Sequence, residues 1–386
     1  MKIVHLCLAS FYIDDFGYQE NMIPKYHKKA GHDVTVIASM QTFDDKGELT
    51  YLEEEKTYYN KYGVKIIRLN YKNKMFYNRI LRYYHDVFKI LSNEKPDIIF
   101  IHGLQFCDIN EVIKYIEKNP QTKVFVDNHA DFSNSAQNWL SKNILHKMIW
   151  RYCAKRIEPY TEKFYGVLPA RVDFLTNIYK TPKKKTKLLL MGADDEKIKF
   201  NKEDSINNSL RKEYNIAKDD FLIITGGKID LAKKQIIKLI KAVNKLNYEN
   251  VKLIIFGSII DELKKEVLRL IDGNQKQFIG WLESDKVYDY FLSSDLGVFP
   301  GRHSVLWEQA VATGLPCVFK KWEGTKHVDL GGNCKFIAED SVDNIKSLLK
   351  NIIDNEDIYK DMKNVAEEKG IKTFSYKKIA RRSIDF

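Results

Sequence analysis

The sequence has few cysteines, and no two of them stand close together. Cys7, Cys107, Cys153, Cys317 and Cys334 are scattered without a CxxC pair. Neither a zinc site nor a disulfide framework is indicated. Several sit inside apolar runs, as buried thiols of a reduced cytosolic protein do. No uninterrupted run of about 18 apolar residues occurs, so nothing is expected to span a membrane. The opening MKIVHLCLAS lacks a full apolar h-region and passes directly into a strand pattern, unlike a signal peptide. A DxD carboxylate pair at a strand end is also missing; Asp194-Asp195 is the nearest pair and Asp14-Asp15 another. No recognised nucleic-acid motif and no solenoid repeat appear, and the lysines are spread over both halves of the chain.

What is present points to two domains. A chain of 386 residues exceeds one ordinary core, and domains of roughly 150–200 residues each are the prior. A hydrophobic content of 44% excludes a disordered chain and supplies two cores. The net charge of +11 implies an acidic partner: nucleic acid, an anionic membrane face or a phosphorylated substrate.

The rhythm of the chain is strand, loop, helix. Lys2 to Ala9 reads as a strand, residues 17–30 as a helix and His32 to Ser39 as the next strand, a βαβ unit. Further strands are expected over Val64–Leu69, Pro96–Gly103 and Lys123–Val126, and at Gly166-Val167-Leu168. Such alternation argues for a doubly wound parallel sheet, with ligands at the C-terminal ends of its strands. Gly17, His102-Gly103 and His129 fall at those ends. Two segments, Tyr71 to Leu91 and Asn138 to Ile157, mix Trp, Tyr and Phe with Lys and Arg at helical spacing. They read either as amphipathic surface helices with the apolar face inward, or as a basic aromatic face that rests on an anionic membrane.

A charged stretch, Thr181 to Lys187, leads into the second half. There the strands are Phe221–Thr225, Val251–Phe256 (ending in Gly257), Gln277–Gly280, Leu296–Phe299 and Cys317–Phe319, with helices between. Pro300-Gly301-Arg302-His303-Ser304 is a polar turn before a helix over Val305–Ala312. A strand, a polar loop and a helix N-terminus gather free N–H groups at one point, which suits a phosphate. Glu308 and Gln309, one turn into that helix, would reach a sugar or ribose hydroxyl beside it. The ordinary alternative is a plain strand-to-helix turn of an α/β domain.

In their order, the motifs resemble those of the family 4 glycosyltransferases over nearly the whole chain. Phe16-Gly17-Tyr18-Gln19-Glu20-Asn21 stands where that family has its glycine loop. Ala30-Gly31-His32-Asp33-Val34 resembles its GH(D/E)V motif, and residues 97–103 its DVVHxHG strand. Leu190-Met191-Gly192-Ala193-Asp194 takes the place of PNGVD. Gly227-Lys228 followed by Lys233 resembles GR(L)…K, and residues 309–316 resemble EAMAxGxP. One departure stands out. The family places two glutamates eight residues apart, whereas here Gln309 holds the second position and Gly301 the first. Glu308 taking over the hydroxyl contact, or Ser304 and local N–H groups doing the phosphate work, are the two readings.

The resemblance implies an α/β fold of GT-B architecture, two Rossmann-like doubly wound domains facing across a cleft. The domains are expected over residues 1–185 (acceptor) and 186–365 (nucleotide-sugar donor), with a C-terminal helix, 366–386, crossing back. It implies transfer of a sugar from a UDP- or GDP-sugar to a hydroxyl of a glycan or polyprenyl-diphosphate-linked acceptor, with retention of configuration, in surface polysaccharide synthesis. Lys228 and Lys233 are expected on the donor diphosphate with Arg302, Ser304, Gly227 and Gly257 around it. His129 and Gly17 are expected at the donor sugar, Gly280 and Trp281 at the base, and Glu308 or Gln309 at hydroxyls. Lysines and a helix end replace a metal, so no cofactor is expected. A cytoplasmic location in reach of the inner membrane face follows, without nucleic acid as partner. The rival readings are a nucleotide-sugar hydrolase or epimerase of the same fold, or a non-catalytic glycan- or nucleic-acid-binding protein.

Overall fold

The computed structural model describes residues 1–9, 11–44, 49–72, 76–200 and 204–385. The chain divides into two compact units, residues 1–191 with 376–386, and residues 192–375. The division falls later than the expected 185, and the return to the first unit begins at Tyr376 rather than 366. The helix Glu356–Phe374 ends in the second unit, and Tyr376–Ser383 packs on the helix Gln19–Lys29 of the first.

The first unit contains β1 (Lys2–Cys7), β2 (Asp33–Ser39), β3 (Gln41–Phe43), β4 (Leu49–Tyr51), β5 (Thr57–Tyr59), β6 (Lys65–Leu69), β7 (Ile98–His102), β8 (Lys123–Asn128), β9 (Thr161–Gly166) and β10 (Thr186–Leu188). Eight of them form one sheet in the order β10-β9-β8-β7-β1-β2-β6-β5. The ladders are parallel except at the edge, where β5 runs antiparallel to β6. β3 and β4 pair with each other as a separate hairpin. The central strands are mostly apolar and buried on both faces, as a helix-covered parallel sheet requires, with His5 of β1 and His102 of β7 as buried polar exceptions. The strand expected at 166–168 lies earlier. Thr161–Gly166 is the strand, because Val167 and Leu168 lead directly into the helix Pro169–Phe174, with proline at its start. Gly166 is fitted to that turn: a Cβ there would lie 2.3 Å from the Val172 nitrogen.

The expected helical run from Tyr71 to Leu91 is broken. Residues 73–75 fall outside the described residues. Beyond them lie two short helices, Phe76–Leu81 and Val87–Glu94, separated by left-handed residues Arg82 and Asp86 (φ 57° and 54°). The segment from Asn138 to Ile157, by contrast, is one continuous helical run from Trp139 onward, of π type over Ser141–Trp150 and α type over Arg151–Ile157.

The second unit carries β11 (Phe221–Gly226), β12 (Val251–Phe256), β13 (Lys276–Phe278), β14 (Leu296–Phe299), β15 (Cys317–Lys320) and β16 (Cys334–Ile337). They form one parallel sheet in the order β13-β12-β11-β14-β15-β16. β16 was not anticipated; its run Cys-Lys-Phe-Ile is short and carries a charge. The order reverses between β11 and β14, the switch point at which doubly wound sheets open a crevice. All five cysteines are free thiols, four of them buried.

Candidate functional site

A pocket of the second unit sits at that switch point. Its walls are the end of β11 (Thr225, Gly226), the end of β14 (Phe299), the turn after it with Pro300, Gly301, Arg302 and Ser304, and the lysines Lys228 and Lys233. Lys233 closes a short 3₁₀ turn, Leu231–Lys233, that follows β11. Its side chain runs between two glycines. A Cβ on Gly227 (φ +111°) would lie 3.3 Å from Lys233 Nζ, and a Cβ on Gly301 would lie 3.1 Å from Lys233 Cγ. Burial lowers the Lys233 pKa, Asp230 opposes that, and Arg302 adds to the lowering. Two cations crowded in a partly desolvated site are the arrangement that an anion relieves.

The other glycines build the rim. Gly227 N–H donates to Phe256 O at 3.1 Å, and Gly257 N–H donates to Gly280 O at 2.7 Å. Gly257 (φ +117°) lies against Gly227, where a Cβ would come within 2.1 Å of the Gly227 carbonyl oxygen. Only glycine tolerates both that φ and that contact. Gly280 (φ +75°) faces open space, with the exposed Trp281 next to it. Ser304 precedes a helix of only 7 residues, Leu306–Ala312, which has no side-chain cap.

Glu308 is not brought into this pocket. It is fully buried, and its Oε1 accepts from His303 Nε2 at 2.9 Å and His327 Nε2 at 2.7 Å. Burial alone would raise its pKa; the two imidazoles outweigh burial and hold it at about 2. Gln309 is buried beside the Tyr288 hydroxyl, away from the pocket lining. Consecutive helix positions point about 100° apart, so side chains at 308 and 309 cannot share one outward direction. His303 and His327 went unnoticed in the sequence because nothing in the spacing 303, 308, 327 marks a shared site. Only the turn and the 3₁₀ segment Lys326–Val328 bring them together.

In the first unit, Gly17 lies in the turn ahead of the helix Gln19–Lys29. His129 follows β8, its Nε2 3.2 Å from Asp127 Oδ1 and 3.7 Å from Glu20 Oε1. Burial opposes protonation of His129, but Glu20 and Asp127 outweigh it and raise its pKa. Asp127 in turn accepts from His102 Nδ1 at 2.8 Å. Two groups therefore bring three metal-capable side chains together among the described residues: His102, Asp127 and His129, and His303, Glu308 and His327. His102, His303 and His327 hydrogen-bond to the carboxylate of their group, whereas the His129 Nε2–Asp127 Oδ1 contact of 3.2 Å is an ion-pair distance between two buried atoms that have no hydrogen-bond partner.

The helical run 139–157 turns one apolar face inward, as expected of an amphipathic surface helix, and leaves other large apolar side chains exposed. Trp150, Cys153, Ala154 and Ile157 are buried, while Trp139, Leu140, Met148 and Tyr152 stand 57–71% exposed. No helix among the described residues is long and apolar enough to cross a membrane.

These features define the class of fold. The chain has the two-unit GT-B architecture, and solved structures of that architecture match it end to end. A sucrose-phosphate synthase from Thermosynechococcus elongatus is 13% identical, with a TM-score of 0.71, covering 99% of this chain and 96% of that one. Anabaena HepE in complex with UDP is 15% identical, with a TM-score of 0.69, covering 99% and 98%. WaaG, a glycosyltransferase involved in lipopolysaccharide biosynthesis, is 14% identical, with a TM-score of 0.67, covering 98% of each chain. More particularly, residues 207–369 match the family described as glycosyl transferases group 1. Together the fold and this match support a glycosyltransferase. No curated protein matches the sequence.

Proposed function

We propose that this protein transfers a sugar from a nucleoside-diphosphate sugar to a hydroxyl of a glycan or lipid-linked acceptor, with retention of configuration and without a metal. The observation that carries the reading is Lys233, threaded between Gly227 and Gly301 at the sheet's switch point beside Arg302 and Lys228. Departure of the sugar leaves negative charge on the diphosphate, and preorganised cations there stabilise it. UDP is the favoured nucleotide, since the similar HepE was solved with it. The base rests by Gly280 and Trp281, and His129 faces the donor sugar. Glu308 acts at one remove, by orienting His303 next to Arg302.

The acceptor is proposed to be a polyprenyl-diphosphate-linked glycan in surface polysaccharide assembly, met at the inner membrane face. The exposed Trp139, Leu140, Met148 and Tyr152, interleaved with Lys142, Lys147, Lys155 and Arg156, support peripheral contact with anionic lipid. Nucleic acid is not a partner in this reading. Calorimetric titration with UDP and GDP tests the donor site, and product analysis with UDP-sugars tests the reaction. A strong preference for one diphosphate is expected. Absence of binding to either would refute the reading, and release of free sugar without any acceptor would favour a hydrolase.

A further inference from the structure

The charged stretch from Thr181 to Lys187 does not carry the chain between the units, whose boundary falls after Met191. It folds instead as a closed turn at the edge of the first sheet, leading into β10. The Lys185 N–H and the Thr186 hydroxyl both donate to the Pro182 carbonyl oxygen, at 3.0 and 2.8 Å, and the Thr181 and Thr186 hydroxyls meet at 2.9 Å. Both threonines are buried. Residues 180–187 hold five lysines and no carboxylate. Lys180, Lys183, Lys184 and Lys187 are exposed. Among the described residues, a carboxylate takes up only Lys185 of the five, Glu158 at 3.8 Å.

Positive charge continues on both faces of this edge. On one face, the Tyr165 hydroxyl of β9 donates to the Arg382 carbonyl oxygen at 3.2 Å and ties down the helix Tyr376–Ser383. That helix buries Tyr376, Ile379 and Ala380 and exposes Lys377, Lys378, Arg381 and Arg382, again with no carboxylate among its residues. On the other face, the turn is tied to the end of the helical run 139–157. Arg151 Nε donates to the Ile178 carbonyl oxygen at 2.6 Å, and Lys185 Nζ to the Glu158 carbonyl oxygen at 3.0 Å. Leu140, Met148 and Tyr152 of that run stand exposed.

Lysines at a sheet edge also keep a second sheet from pairing there. That role needs charge on the strand itself, whereas these cations lie mostly on the turn and the flanking helix. An ordinary solvated surface mixes both signs; these two segments carry one. Nucleic acid matches the charge but not the exposed aliphatic Leu140 and Met148 beside it. A bilayer takes both, headgroups to the cations and the acyl boundary to the apolar side chains.

We propose that the lysine turn 180–187 and the C-terminal helix form a binding surface for anionic lipid headgroups. The inference rests on the lipid contact proposed for the run 139–157 and gives it an electrostatic partner. Apolar insertion alone holds a protein at a membrane marginally, and charge supplies the second signal. Each lysine near an anionic surface contributes roughly fivefold in affinity. That contribution fades as salt shortens the reach of the field.

The test is co-sedimentation of the full-length protein with vesicles of phosphatidylcholine, with and without phosphatidylglycerol. Binding is expected to the anionic vesicles and to weaken steeply with added salt. Lys183→Gln, Lys184→Gln and Lys187→Gln together should weaken it by about 10- to 100-fold, and arginine at the same three positions should restore it. The threonines that close the turn are untouched, so the melts should match wild type. Should the glutamine variant not fold, Arg381→Gln with Arg382→Gln makes the same prediction from the helix. Wild-type sedimentation of these glutamine variants overturns the proposal. So does equal binding to neutral vesicles, or binding that ignores salt. An RNA oligonucleotide bound tightly by a protein that leaves the vesicles alone assigns the charge to nucleic acid and overturns it as well. Failure of the glycosyl-transfer reading registers separately, as loss of UDP and GDP binding with sedimentation unchanged.

Discussion

Glu308→Gln separates a carboxylate that touches substrate from one that holds the second unit together. In the structure the Glu308 carboxylate accepts from both His303 and His327 with no exposure to solvent. Its pKa of about 2, against an ordinary 4.5, measures how strongly those imidazoles favour the anion. The difference corresponds to about 3 kcal/mol. A glutamine amide serves one imidazole and opposes the other. His327 cannot adapt by moving its proton, because its Nδ1 is buried without a hydrogen-bond partner and a proton there would be unpaired. A loss of about 2–3 kcal/mol is expected, or a fall of about 5–10 °C in the transition of the second unit, read by calorimetry. Since the folded pKa is depressed, this stabilisation is present above pH 4.5 and fades as pH falls toward about 2. The gap between wild type and variant should close over that window. UDP affinity, measured by titration at neutral pH, should change less than about threefold, because the carboxylate does not line the pocket. An unchanged transition temperature together with a tenfold loss of UDP affinity would refute this account and return Glu308 to the ligand.

Lys233→Ala should lower turnover by roughly 100- to 1000-fold with the unfolding temperature nearly unchanged, checked by steady-state kinetics beside a thermal melt. Gly257→Ala meets the Gly227 carbonyl at 2.1 Å and a φ of +117°, whereas Gly280→Ala meets open space at +75°. The first should cost about 3 kcal/mol or more and the second about 1–2 kcal/mol in denaturant unfolding. His27, buried with a pKa near 4 against 6.5, stabilises the first unit above pH 6.5, and that stability should drain away as pH falls toward 4, in a pH series of melts. Replacing Trp139 and Tyr152 together with Ser should weaken co-sedimentation with anionic vesicles while UDP binding persists; unchanged sedimentation would remove the membrane from the proposal.

Local pattern determined much of this protein. The apolar runs at Leu296–Phe299, Val251–Phe256 and Ile98–His102 became strands at or within a residue or two of their expected limits, because buried parallel strands need apolar side chains on both faces. Glycine at 227 and 257 followed from the same logic, since their positive φ and close contact belong to strand-end turns. The antiparallel edge strand Thr57–Tyr59 and the hairpin of β3 and β4 escaped notice, being three residues each and polar or half-exposed. Only the tertiary structure decided which way Glu308 points, because one residue of helical rotation separates the pocket from the core. It alone also brought His5, His27 and His102, from 22 to 97 residues apart along the chain, into one line that ends at Asp127. A hydrogen bond between side chains so distant leaves no periodicity for a sequence to display, and the packing of two helices and three neighbouring strands creates it.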